Sequence, residues 1–189
     1  MEGVINKRDC LYEILDGKKV WMHASPNIHH TEIATNIVSI FKNYLRGKTC
    51  KVYAAPTDVR FSDDDMTIPD LLVLCDRSKN NGKIIVGAPD LIVEVLSPST
   101  AINDYGYKKD LYEKHGVGEY WIVHPNERFI LVFVLENGKY KSSGVYEHFT
   151  KEQLDVMTDK EKQEIPLSFS PSLFADLEIS LDEVFEDIY

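Results

Sequence analysis

The chain has 189 residues, 43% of them apolar and 28% charged, with a formal net charge of −10. That length suits a single domain over 1–189 with a core of its own. No window offers the ~18 uninterrupted apolar residues of a membrane span, the first residues lack a secretory leader's apolar run, and the acidity excludes a global basic footprint for nucleic acid. A local basic patch remains at Lys42, Arg46, Lys48 and Lys51. Cys10, Cys50 and Cys75 are odd in number and widely spaced, and read as reduced thiols of a cytoplasmic protein.

In chain order, residues 11–22 read as a hairpin, because Asp16-Gly17 is a two-residue turn signal between apolar arms. Ser25-Pro26-Asn27 leads into a helix over about 28–45, where Ile33, Ile37, Ile40, Phe41, Tyr44 and Leu45 make one apolar stripe. His30 falls within that stripe and Glu32 points to the far side, toward water. Residues 51–61 read as a strand interrupted at Pro56. Asp63-Asp64-Asp65 lacks the ligand spacing and turn glycine of a calcium loop, so it reads as a solvated turn.

A strand over 66–75 puts Asp70, Leu72 and Leu74 on one face. After a loop at 77–83, the strand 89–96 puts Asp90, Ile92, Glu94 and Leu96 on one face; apolar on both sides otherwise, it reads as central. Asp90 is best placed as a strand-start cap. Ser97-Pro98-Ser99-Thr100 stops the strand and supplies capping hydroxyls. The helix at about 103–115 carries Lys108, Leu111 and His115 on one stripe, with Asp104 four residues before Lys108; Gly116 ends it. Two apolar β runs follow at 119–123 and 129–135, and Asn137-Gly138 turns into a strand at 139–146. Residues 150–164 read as an exposed connection or irregular helix. The end, from Leu167 to Phe185, is expected to dock on the core.

Asp70 and Glu94 stand out because a carboxylate inside an apolar strand needs a partner, a proton or a metal. Two such acids with a lysine on a following helix point to metal-assisted hydrolysis. Magnesium takes hard oxygen ligands and keeps several waters, so two protein acids suffice. A nearby lysine can orient or deprotonate the water and offset charge. Strand acids that are merely hydrogen-bonded are the plain alternative, and Asp104 either pairs with Lys108 and holds it or forms a plain surface i,i+4 pair with it.

The arrangement P-D, then E-V-L-S-P-S-T, K-x-x-L-Y and G-V-x-E-Y-W-I-V-x-P resembles the Uma family of restriction endonucleases, within the PD-(D/E)XK nuclease superfamily. The likeness runs from Tyr12 through Val123 and more weakly to Phe185. It implies an α/β (α+β) fold: a restriction-endonuclease-like core whose mixed sheet is flanked by helices, with added β-hairpins. It also implies an endonuclease acting on DNA with Mg²⁺, or Mn²⁺ in its place. By the resemblance Asp70 and Glu94 are the catalytic acids and metal ligands. Leu96 stands where the superfamily lysine would be, and Lys108 takes its place on the following helix; Lys109 is the neighbouring alternative. His30 stands where many superfamily members carry a helical glutamate. Glu13 in the hairpin also belongs to the likeness. Apolar strands in 129–146 and the need to cut two strands point to a homodimer. The alternatives are a catalytically silent nuclease-fold module that binds protein or nucleic acid, and a hydrolase of another phosphoester.

Overall fold

The computed structural model describes residues 11–22, 27–97 and 103–188. Strands β1 (Tyr12–Leu15) and β2 (Lys18–Trp21) form the expected hairpin, with Asp16 and Gly17 both at positive φ in its turn. Helix α1 (Ile28–Tyr44) starts at Asn27, whose side chain accepts the amide of His30. Short strands follow: β3 (Lys51–Ala54), β4 (Val59–Arg60), β5 (Met66–Thr67), β6 (Leu71–Leu74), β7 (Ile85–Val86) and β8 (Leu91–Val95). A π-turn over Asp104–Lys108 runs into α2 (Lys109–His115), which Gly116 closes in the left-handed conformation. Then come β9 (Glu119–His124), β10 (Phe129–Glu136) and β11 (Lys139–Glu147). The chain ends in α3 (Lys151–Asp155), α4 (Asp159–Glu164), the strand pair β12 (Ser168–Phe169) and β13 (Ile179–Ser180), and α5 (Leu181–Val184).

The main sheet has the order β11-β10-β9-β8-β6-β3 and is mixed: β8 and β9 are parallel, the other neighbours antiparallel. A second sheet has the order β2-β1-β5-β4-β7. The expected strands 51–61 and 66–75 each divide between the two sheets. The first leaves the main sheet at Pro56. The second enters it at Ile68-Pro69-Asp70. Proline lacks the amide that a ladder needs, so both crossings sit where a donor is dispensable.

Every residue of β6 and β8 is buried, as central strands covered on both faces must be. On one face Ile33, Ile37 and Phe41 of α1 pack over Leu71, Val73, Val93 and Trp121, and the C-terminal segment closes the layer with Ile179, Val184 and Phe185. Burying each of the α1 side chains contributes about 1.5–3 kcal/mol. On the other face Leu72, Ile92, Tyr120 and Ile122 meet Leu111 and Tyr112 of α2 and Leu15 and Val59 of the second sheet.

Several expectations change. Cys50 and Cys75 are joined in a disulfide rather than being free thiols. They are 25 residues apart in sequence, but they flank the paired strands β3 and β6, where Lys51 faces Leu74, and their α-carbons lie 3.9 Å apart. Residues 150–164 are largely exposed, as expected, and their irregular helix resolves into two short ones, each opened by a capping box, Thr150 with Gln153 and Thr158 with Glu161. The apolar residues of 129–135 serve the protein's own cores: Ile130 and Val132 are buried, and Leu131, Phe133 and Val134 pack against the two layers. No described helix is long and apolar enough to cross a membrane.

Asp65 is a further correction. Only 2% exposed, it is a hub rather than a solvated turn residue. Its carboxylate accepts from the amide of Asp16 at 3.1 Å and meets Lys114 Nζ at 3.2 Å and His115 Nε2 at 2.9 Å, tying the β1–β2 turn to α2. Burial pushes its carboxyl up, but His115, the Asp16 amide and Lys114 outweigh that and bring it down to about 2. A depressed carboxyl contributes stability above its unfolded value and loses it as the pH falls toward the folded one. Asp65→Asn should therefore cost about 2 kcal/mol at neutral pH, with the difference vanishing near pH 2. Urea unfolding of both proteins across that range checks it; a pH-independent gap would refute the assignment.

Candidate functional site

Asp70 and Glu94 come together through strand register. Leu71 faces Val93 across β6 and β8, so the next pair outward is Asp70 with Glu94. Each carboxylate reaches the backbone of the opposite strand: Asp70 Oδ2 accepts the Val95 amide at 2.8 Å, and Glu94 Oε2 lies 3.4 Å from the Asp70 amide. Glu94 is buried within the sheet, whereas the side chain of Asp70 is 19% exposed and opens the cluster to solvent.

Lys108 arrives from the π-turn. The wider i→i+5 turn sets Asp104 and Lys108 nearly one above the other on the inward side. Lys108 Nζ lies 3.0 Å from Glu13 Oε1, 3.1 Å from Glu94 Oε1 and 3.3 Å from Asp104 Oδ1, and all four side chains are at most 5% exposed. The Asp104–Lys108 pair is thus buried, not a surface pair. Tyr112, one helical turn beyond Lys108, donates its hydroxyl to Glu94 Oε1 at 2.7 Å and lies 3.2 Å from Thr67 Oγ1. Glu13 Oε1 also accepts the Ile68 amide at 3.0 Å, which anchors β1 to the crossing between the sheets.

The charges do not balance: one ammonium faces three buried acids, with Asp70 beside them. Burial pushes the Glu94 carboxyl well above the usual carboxylate range; Lys108 opposes this, while Asp104, Asp70 and Glu13 add to it. For Lys108 burial works toward the neutral amine, but Glu94, Glu13 and Asp104 outweigh it and hold the ammonium well above its ordinary range. Burial and Glu94 also push the Tyr112 phenol up, so it stays a donor.

The oxygens suit a hard cation. Among the described residues Asp70 Oδ1 takes no hydrogen bond, and Glu94 Oε2 takes only the long one from the Asp70 amide. No cluster of three His, Cys, Asp or Glu side chains forms a ready cation cage among the described residues. Mg²⁺ asks for only one or two protein carboxylates, with waters completing its octahedron, so Asp70 and Glu94 are the residues that could hold it.

The remaining expected residues divide clearly. His30, on the inward face of α1, meets Asp70 Oδ2 at 3.1 Å and so belongs to the site. Glu32 is half-buried, and its Oε2 is enclosed without a hydrogen-bond partner among the described residues, so it does not simply face water. Lys109 Nζ lies over the Phe133 ring at 4.9 Å, away from the cluster. Asp90 caps the far end of the strands by accepting the Cys75 amide at 2.7 Å. The basic patch lies at the Leu74 end of β6, opposite Asp70; there Lys48 pairs with Asp176 and covers the Tyr44 ring. The hydroxyls expected to cap at 98–100 fall outside the described residues. Tyr112 entered the sequence reading only as the last residue of the K-x-x-L-Y motif, with no role of its own, and Thr67 was not singled out and had no local signal.

Comparison with known proteins agrees with this architecture. Residues 1–165 match the family described as Uma2, putative restriction endonuclease. An uncharacterized protein of Synechocystis sp. is 30% identical over 102 residues, 53% of this chain and 53% of that one, so the chain spans about half the length of the curated relative it matches. The crystal structure of a putative nuclease belonging to DUF820 from Anabaena variabilis superposes with a TM-score of 0.70 and 20% identity, over 94% of this chain and 91% of that one. This is a likeness of fold. With 1–165 of its 189 residues matched, the chain belongs to the Uma2 family of putative restriction endonucleases.

Proposed function

We propose that the protein is a Mg²⁺-dependent endonuclease that hydrolyses phosphodiester bonds in DNA, with Asp70 and Glu94 as the metal ligands and Lys108 as the assisting cation. The observation that carries this reading is the buried Lys108 set against Glu94, which register places beside the partly exposed Asp70. When bound, the ion supplies charge neutralisation at phosphorus and a more acidic water.

The protein's own groups divide the remaining work. The Val95 amide and His30 occupy Asp70 Oδ2, which leaves Oδ1 as the oxygen for the ion. Tyr112 and Lys108 hold Glu94 Oε1, leaving Oε2 to face Asp70. Lys108, kept cationic by three acids, orients the attacking water and offsets negative charge. It is too strongly protonated to act as the base at neutral pH. Glu13 and Asp104 position that ammonium. Where both strands of a duplex are cut, two copies of the site are needed, and a homodimer on DNA is expected in that case.

A second reading, a silent nuclease fold used for binding, is favoured by the net charge of −10 and by the closed ion-pair cluster around Lys108. The deciding experiment incubates purified protein with supercoiled plasmid and Mg²⁺ or Mn²⁺, alongside calorimetric titration of Mn²⁺. Nicking that disappears with a chelator, together with Mn²⁺ binding lost in Asp70→Ala, is the expected result. Neither cleavage nor ion binding would leave the binding module as the reading.

A further inference from the structure

We propose that Tyr105, backed by His124 and Phe129, forms a subsite on which an unpaired DNA base stacks when the adjoining phosphate lies at Asp70 and Glu94. This rests on the nuclease reading above and deepens it by naming the form of substrate, a single or locally unpaired strand.

Tyr105 lies on the π-turn that carries Asp104 and Lys108. Those two point inward, while Tyr105 is 39% exposed. Its hydroxyl is hydrogen-bonded to His124 Nε2, and its ring centroid lies 5.4 Å from that of His124. His124 in turn stacks on Phe129, its cross-strand partner, at 3.9 Å and 19°. An exposed aromatic ring held by His124, which is itself stacked on Phe129, pays little entropy to accept a flat ligand.

The location ties this platform to the candidate site. Glu94 faces Ile122 across the parallel pair β8 and β9, and His124 is two residues further along β9. Alternation along the strand therefore puts His124 on the same face as Glu94, with about 8 Å between α-carbons by ordinary sheet spacings. Both stand at the end of the sheet where Asp70 opens to solvent. A carboxylate stands beside the platform among the described residues: Glu127 Oε2 lies 3.4 Å from His124 Nδ1. A carboxylate there disfavours a phosphate and leaves the uncharged face of a base as the fitting ligand. Base–aromatic stacking is tolerant of sequence because every base has a π-face, but in an intact duplex those faces are covered by neighbours.

The plainer role for Tyr105 is a lock that pins the π-turn to β9 through its hydroxyl. Phenylalanine separates the two, since it keeps the stacking face and loses the hydrogen bond. The test uses the full chain and a short single-stranded oligodeoxynucleotide carrying 2-aminopurine, read by fluorescence quenching and by anisotropy, with thermal melting as the control for folding. Wild type and Tyr105→Phe are expected to quench the probe with similar affinity, and Tyr105→Ala to bind about 5- to 150-fold more weakly. Duplex of the same sequence is expected to show little quenching. If the alanine variant melts early, Tyr105→Leu, which keeps apolar bulk without an aromatic face, repeats the comparison.

Unchanged binding in Tyr105→Ala or Tyr105→Leu would overturn the subsite, as would equal loss in the phenylalanine variant. Plasmid cleavage by the wild type reports separately on the nuclease reading. Cleavage with Tyr105-independent binding sinks the subsite alone. Tyr105-dependent quenching without cleavage sinks the activity alone, and absence of both sinks the two together.

Discussion

Lys108→Met is expected to abolish phosphodiester cleavage and to cost about 3–5 kcal/mol of stability, because it strips the shared cation from three buried acids. A surface lysine pair would lose less than about 1 kcal/mol on the same change. The difference is desolvation. Glu13, Glu94 and Asp104 are almost entirely out of water, and none can recover hydration when the ammonium leaves. Glu94, whose carboxyl burial already pushes up, would then hold its proton more tightly still. A group whose folded carboxyl is raised favours the folded state at low pH and loses that contribution as the pH rises. The stability gap between variant and wild type should therefore narrow as the pH falls through the carboxylate range. Chemical denaturation at neutral and acidic pH measures this. A gap that stays constant or widens on acidification would mean that Lys108 does not hold the three acids together.

Glu94→Gln should separate activity from stability. Glutamine keeps the oxygen that accepts from Tyr112, and burial already pushes the Glu94 carboxyl toward its uncharged form. Lys108 retains Glu13 and Asp104. The expected change in stability is thus within about 1 kcal/mol. Cleavage should fall by roughly a thousand-fold or more, since a neutral amide neither holds Mg²⁺ well nor supplies the charge that the reaction uses. Nicking rates and Mn²⁺ titration on the same preparation test both halves. A Glu94→Gln protein that cuts DNA at the wild-type rate would remove Glu94 from the proposed metal site. One that unfolds would show that the charge at 94 serves the fold.

Reading the acids and lysine from the sequence depended on two short-range rules. Alternation along a strand placed Asp70 and Glu94 each on a definable face, and helical spacing placed Lys108 and Asp104 on one side of their turn. The apolar stripe of α1 likewise directed His30 inward, and the structure brings it to Asp70. The family resemblance then chose among readings that alternation and spacing left open, such as Lys108 over Lys109.

Other features had no local signature. Glu13 belongs to a different sheet from Glu94, and only the crossing at Ile68-Pro69-Asp70 brings them to one ammonium. Asp65 looked like one of three surface acids, yet its side chain accepts from both the β1–β2 turn and α2. The thiols of Cys50 and Cys75 gave no hint of pairing until β3 and β6 were aligned. The two capping boxes in 150–164 were legible in principle, since Thr-x-x-Gln and Thr-x-x-Glu are helix-start patterns.

From its sequence alone this protein's hairpin turns, its central acidic strands and the apolar side of α1 and α2 were determined, because those depend on turn chemistry and on periodicities of two and 3.6 residues. Which strand borders which, and hence which acids share a cation, was decided only in three dimensions. Register between distant strands is set by pairing and core burial across the whole chain, and no local window contains it.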